Sequence, residues 1–455
     1  MTSLDAIHTR IDARAAAHLD LLCDLIRLPS RTGHLEEIGR FAERLVDVIA
    51  AAGGQAQAVR VDAGAPVVYG EWPAPAGGKS VVLYSHYDVI SPEPVDQWTY
   101  PPFGATRVDG KIVGRGSTDA KANLLALIEG VGDFVELEGR APCGVKLIAD
   151  GEEERGSPNL PLFVERYATR LAADGALSFD GGFDARGVPK IGLGTSGMLY
   201  VELSSHGARH ELHSAGARLF LNPAWRLVWA LASIKDADER VLIEGFADDI
   251  APPTDQDRRL MAAMPWDDAA QLRETGLDGF LTGVRGLAAV ERMLFQPGLA
   301  LCGMRSGFTG DGMKAVIPDR ASAKLEFRIV PDQTPERVLA LLRRHLDRRG
   351  FADVAIDVLA TVETAKTDPD AAIVEATVAA ACRLYGPPVL KPTEEYAGRQ
   401  GAWLGRQLGI PGVQTGIGPP GFRGHATDEF VTEEHFVRGI KFAAEILARF
   451  AGRPG

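Results

Sequence analysis

The sequence predicts an α/β protein with a mostly parallel, mixed sheet, interrupted by an inserted α+β domain. Three observations carry that prediction. Short β-branched runs such as "KSVVLYSHYDV" and "CGVKLIAD" alternate with helical stretches such as "ANLLALIEGVGDFVEL", the order that builds a parallel sheet with crossover helices. Near residue 197 the texture changes to "GMLYVELSSHG", where apolar and polar residues alternate as in an antiparallel strand wet on one face. Beyond Glu363, "AAIVEATVAAACRLYG" and "EHFVRGIKFAAEILARFAG" read as helices with no sheet of their own nearby, so they are expected to return to the first domain. The expected order is a catalytic domain over residues 1–196, an insert over 197–363, and the rest of the catalytic domain over 364–455.

From Leu4 to about Ala52 apolar residues recur at helical spacing, with "LPSRTGH" as a break between two helices. "AGGQAQAVRV" closes a helix with glycine and opens a strand. The stretch "ANLLALIEGVGDFVEL" reads as an amphipathic helix, and "GALSFD" as a further strand. Within the insert a helical "PAWRLVWALASI" precedes a second alternating strand, "SAKLEFRIVP", and "ERVLALLRRHLDRRG" is another amphipathic helix.

At 455 residues, 45% hydrophobic and 24% charged, the chain is long enough for two or three soluble domains. A net charge of −12 without any basic stripe argues against a nucleic-acid partner. No signal-like N-terminus and no long apolar run is present, so the expectation is a cytoplasmic protein without a membrane partner. Cys23, Cys143, Cys302 and Cys382 form no C-x-x-C pair and read as buried free thiols in a reducing compartment.

The chemistry concentrates where strand-like runs end. "GEEERGSP" stacks three glutamates after a strand, an arrangement that needs full solvation, a proton-transfer task or a compensating cation. His86 and Asp88 stand two apart at the end of another strand, where a carboxylate can fix the tautomer of a metal-binding imidazole. Asp119 precedes a helix, which also suits an N-terminal cap. Asp180 follows "ALSF", and His425 sits in the turn "GFRGHATDEF". Two histidines with several carboxylates match a two-metal hydrolytic site in which one carboxylate is shared.

Through "SHYDV", "GRGSTDAK", "GEEERGSP", "FDGG", "HELHSAG", "VIPDRASAKLEFRIVPDQ" and "GHATDE", the sequence resembles the M20 metallopeptidases, the group of aminoacylases, carboxypeptidases and dipeptidases. The resemblance runs essentially end to end. It implies a zinc-exopeptidase-like catalytic domain and a lid and dimerisation insert. It also implies two Zn2+ per subunit, with Mn2+ or Co2+ as acceptable substitutes: His86, Asp119 and Asp180 on one ion, and Asp119, Glu154 and His425 on the other. Asp88 would orient His86, and Glu153 would be the general base acting on a metal-bridging water. Glu152 is left as a solvated or supporting charge. His213 would enter the active site of the partner subunit in a homodimer and stabilise the oxyanion, while Asn222 and Arg328 match substrate-binding positions. The three histidines of "HGARHELH" read only weakly as another metal site, because Glu211 alone accompanies them.

Four departures from the family pattern bear on the substrate. Ala122 replaces the usual glycine, Ser196 stands where arginine is common, and Asp428 replaces asparagine. "YAGRQGAWLG" replaces a segment that usually lines the substrate pocket, which makes Arg399 a further substrate-binding candidate. The long insert resembles the dipeptidase branch, which implies cleavage of dipeptides or related small substrates with a free carboxylate. An N-acyl-amino-acid amidohydrolase is the alternative, and an inactive zinc-binding scaffold on the same fold is the alternative from another class.

Overall fold

Buried β-branched runs assemble an eight-stranded sheet in the order Gln55–Val59, Val67–Trp72, Gly144–Asp150, Ser80–His86, Gly175–Phe179, Gly412–Thr415, Lys190–Gly192 and Val389–Lys391. In this computed structural model, which describes residues 3–396, 398 and 403–453, the strands from Gly144–Asp150 to Gly412–Thr415 run mutually parallel. Antiparallel pairs occur only towards the two ends of that order. Strand Ser80–His86 is buried from Val81 onward, as expected of a strand covered on both faces.

The chain divides into two compact units. The first comprises Met1–Gly194, Lys366–Pro392 and Arg399–Gly455, and the second Thr195–Ala365 with Thr393–Gly398. Thr393–Gly398 joins the second unit through hydrogen bonds. Ser196 Oγ donates to the Glu394 carbonyl at 2.7 Å, and Thr195 Oγ1 to the Tyr396 carbonyl at 3.0 Å. At this departure from the family pattern, a short hydroxyl holds main chain.

Four sequence expectations need correction. The first helical stretch is two helices, Leu4–Ala13 and Ala15–Arg27, separated at Arg14, whose φ of −100° and ψ of 2° are not helical. Both Arg14 and His18 then reach carboxylates of the helix Lys121–Glu138. That helix is not amphipathic. Every residue from Lys121 to Phe134 is buried, because helices pack on it as well as strands, and its acids Glu129 and Asp133 are paired rather than solvated. The C-terminal part does contribute strands, Val389–Lys391, Gly412–Thr415 and Phe430–Thr432, too short to register as periodic runs. Cys302 and Cys382 are exposed; only Cys23 and Cys143 are buried.

The second unit carries a four-stranded antiparallel sheet, ordered Gly298–Ser306, Arg320–Ile329, Gly197–His206 and Ala355–Val362. Strand Gly197–His206 alternates buried and half-exposed residues. Its Leu199, Val201 and Leu203 meet Leu227 and Ala230 of helix Pro223–Ile234 and Leu342 and Leu346 of helix Pro335–Arg348 in one core. Among the described residues, no helix is long and apolar enough to cross a membrane.

Candidate metal centre and active site

Three parallel strands of the first unit end side by side. The register pairs His86 with Asp150 and Tyr84 with Ser178. The residues that follow, Asp88, Glu153, Glu154 and Asp180, therefore emerge at one sheet edge, where open α/β sheets assemble their sites. Asp119 lies in the turn before helix Lys121–Glu138. Ala120 holds the N-cap position there and no side chain caps the helix, so Asp119 does not serve as the cap. His425 sits in a turn before strand Phe430–Thr432, with a left-handed φ of 63°.

The Asp119 carboxylate lies between two imidazoles. Its Oδ1 is 3.0 Å from His86 Nε2 and its Oδ2 is 3.2 Å from His425 Nε2. Glu154 Oε2 lies 3.0 Å from the same His425 nitrogen, and Asp180 Oδ1 lies 3.9 Å from His86 Nε2. Two donor triads result, His86 with Asp119 and Asp180, and Asp119 with Glu154 and His425; within each, the donor atoms all lie within 4.8 Å of one another.

The electrostatics fit cations. Burial would lower the His86 imidazole, but the Asp119 and Asp88 carboxylates hold it well above its ordinary value. Hydrogen bonds to Asp119 and Glu154 push His425 up to about 10 against burial. Burial would raise Asp119, yet the two histidines hold it below the usual carboxylate range. Burial pushes Asp180 up to about 6. Burial, reinforced by Asp180 and Glu154 and opposed by His86, pushes Glu153 up to about 8. Five carboxyl groups, Asp88, Asp119, Glu153, Glu154 and Asp180, around two imidazoles make a field that retains positive charge. Imidazole nitrogens with a shared carboxylate are a donor set that suits a pair of zinc-class ions, so the residues fit the group.

His86 Nδ1 lies 3.1 Å from the Asp88 carbonyl oxygen and 3.4 Å from its carboxylate Oδ1, which leaves Nε2 to face Asp119. Asp88 does more than meet His86. Its carboxylate accepts the N–H groups of Glu153 at 3.0 Å and Glu154 at 3.2 Å, and the Thr32 hydroxyl at 2.8 Å. One acid thus ties the histidine strand to the glutamate loop. Glu152 is not solvated. It is buried, and its Oε2 accepts from Asn159 Nδ2 at 2.5 Å. Asp428 accepts from both the N–H and the hydroxyl of Thr99, each at 2.8 Å, which gives this departure a main-chain anchor.

Residues 82–449 match the sequence profile of peptidase family M20/M25/M40. The chain belongs to this family. Among solved relatives, the M20 family metallo-carboxypeptidase Sso-CP2 from Sulfolobus solfataricus is 31% identical, with a TM-score of 0.85 over 95% of this chain and 99% of that one. The Beta-Ala-His dipeptidase of Rattus norvegicus is 29% identical over 302 residues, 65% of this chain and 61% of its own length. The Cys-Gly metallodipeptidase DUG1 of Saccharomyces cerevisiae is 26% identical over 289 residues, 62% of this chain and 60% of its own. The alignments span about three fifths of these two curated relatives.

In this M20 peptidase His213, Asn222 and Arg328 belong to the second unit. His213 is exposed, and its Nδ1 accepts the Ala215 N–H at 3.1 Å. Asn222 caps helix Pro223–Ile234 by accepting the Ala224 N–H at 2.9 Å. Arg328 is paired with Glu326 on the same face of its strand. Glu211 pairs with Lys314. Arg399 lies outside the described residues.

Sequence reasoning overlooked four polar residues around the centre: Thr32, Arg115, Asn123 and Glu429. Asn123 donates to the Thr118 carbonyl at 3.0 Å and accepts the Ile417 N–H at 2.9 Å, joining two loops of the site. The usable signal was polarity in an apolar setting, "KANLL" for Asn123 and "DEFV" for Glu429.

Proposed function

We propose that this M20 peptidase is a dinuclear-metal dipeptidase that hydrolyses the peptide bond of small substrates bearing a free α-carboxylate. The observation that carries the reading is Asp119, whose two oxygens face His86 and His425 and so serve both donor triads. His86, Asp119 and Asp180 would hold one ion, and Asp119, Glu154 and His425 the other, with zinc favoured by the histidine-carboxylate set. Two such ions, when bound, supply polarisation of the scissile carbonyl and a lowered pKa for water.

Glu153 would be the group that moves protons. Its carboxyl, pushed up to about 8 chiefly by burial, suits a base that accepts a proton near neutral pH and returns it to the leaving amine. Asp88 holds the main chain of Glu153 and Glu154 in place. Arg328 would exchange Glu326 for the substrate carboxylate, a pairing its planar fork suits. In a homodimer His213, from the partner subunit, would donate to the carbonyl oxygen as charge develops. Asn222 and Arg399 are the remaining substrate-binding candidates. Dipeptidases and carboxypeptidases both cleave beside a residue with a free carboxylate, and the relatives bear those names. Four free cysteines suit the reducing cytoplasm.

The test is an assay of metal-stripped and zinc-restored protein on dipeptides, their C-terminal amides and N-acyl amino acids. The expected result is zinc-dependent cleavage of dipeptides, with the amides poor. Cleavage of N-acyl amino acids alone would identify the deacylase instead, and no hydrolysis with zinc bound would leave a scaffold.

A further inference from the structure

Glu429 is fully buried beside strand Phe430–Thr432, yet the chemistry above makes no use of it. A buried carboxylate is strongly destabilising unless its oxygens are satisfied. Here each oxygen accepts twice. Oε2 accepts from Arg115 Nη1 at 2.6 Å and the Gly116 N–H at 3.1 Å, and Oε1 from the N–H groups of Thr118 at 2.9 Å and Asp119 at 3.0 Å. Three of these donors are main-chain groups of one turn, and that turn ends at Asp119.

Further bonds run between the same two segments. The Gly114 N–H donates to the Glu429 carbonyl at 2.9 Å, and the Thr118 hydroxyl to the Phe430 carbonyl at 2.8 Å. Arg115 uses its other terminal nitrogen on the carbonyl of Ala426, the residue after His425, at 3.1 Å. Glu429 lies 310 positions from Asp119, yet it fixes the main chain that aims the Asp119 carboxylate, and through Arg115 it reaches the turn that carries His425.

We propose that Glu429 is a positioning residue for the shared carboxylate, so that affinity at both ions depends on a side chain belonging to neither donor triad. The proposal rests on the dinuclear reading above. Asp119 belongs to both triads, so an error in its aim weakens both ions together, whereas loss of Asp180 or Glu154 strikes one triad. Partners that orient metal ligands in this way are typically worth about 10- to 100-fold in affinity.

The experiment measures zinc dissociation constants of the metal-stripped full chain, by competition with a chelating indicator, together with the rise in Tm on adding zinc. Glu429→Gln keeps the shape but turns one acceptor oxygen into a donor facing donors. Both zinc affinities should fall by about 10- to 100-fold, and the zinc-dependent rise in Tm should shrink with them. Glu429→Asp keeps the charge and should recover part of the loss. Glu445, fully buried on helix Glu433–Phe450 and paired with His8, Arg383 and Arg449, supplies the control. Glu445→Gln should lower the metal-free Tm while leaving zinc affinity at the wild-type value.

Wild-type affinity for both ions in Glu429→Gln, or loss of only one, would overturn the proposal. If Glu429→Gln does not fold, Glu429→Asp takes its place with a smaller loss at both ions expected and the same overturning results. Failure of the wild type to bind zinc would instead remove the dinuclear reading itself.

Discussion

Glu153→Ala removes the group assigned to proton transfer and leaves both donor triads whole. It should keep two ions by elemental analysis while turnover falls by about 10²- to 10⁴-fold. Glu154→Ala, one residue on, should lose an ion as well, because Glu154 Oε2 shares His425 Nε2 with Asp119. Opposite metal contents in the two variants would reverse the assignment. At this scale Arg328 also has two partners to choose between, Glu326 in the chain alone and the proposed substrate carboxylate.

The packing of the helices Ala15–Arg27 and Lys121–Glu138 makes a pH-dependent contact. His18 Nδ1 lies 2.7 Å from Glu129 Oε2 and Nε2 lies 3.2 Å from Asp133 Oδ2, with Arg10 and Arg14 on the same Asp133. Burial alone would lower His18, but Asp133 and Glu129 outweigh it and raise the imidazole above its ordinary value. A raised histidine contributes stability fully present below the unfolded value of about 6.5 and lost as pH rises through the folded one. Urea unfolding of metal-stripped protein between about pH 6 and pH 9 should therefore show a loss of stability that is smaller in His18→Gln. Equal slopes for the two proteins would show that His18 enters the fold uncharged.

For the whole molecule, the proposed homodimer has a surface to use. Leu219, Phe220, Leu221 and the stacked pair Trp225 and Trp229 are exposed on the second unit, a run of apolar side chains of the kind that marks an interaction site. If His213 serves the partner's site, Glu153→Ala and His213→Ala homodimers should each be nearly inactive. A mixed dimer would then hold one site with both groups intact. Random exchange should restore up to about a quarter of wild-type activity. No recovery, with exchange confirmed by mass, would refute the arrangement in trans and leave the metal chemistry standing.

The sequence by itself determined the α/β class, the antiparallel texture of the insert, and the placing of His86, Asp88 and Asp180 where strands end. Each is a local record, of periodicity or of residue type beside a break. Tertiary structure alone decided the rest. "GVQT" is a strand because a slot lies open between Gly175–Phe179 and Lys190–Gly192, and four residues show no period of their own. The helix Lys121–Glu138 is buried on every side from Lys121 to Phe134 because other elements close over Glu129 and Asp133, which its own pattern cannot reveal. Glu152 reads as a solvated or supporting charge until Asn159 arrives as its partner, and Glu429 carries no reading at all until the Asp119 turn meets it. The cost of burying a charge is settled by what lies across the fold, and only the closed chain brings residue 429 to residue 119.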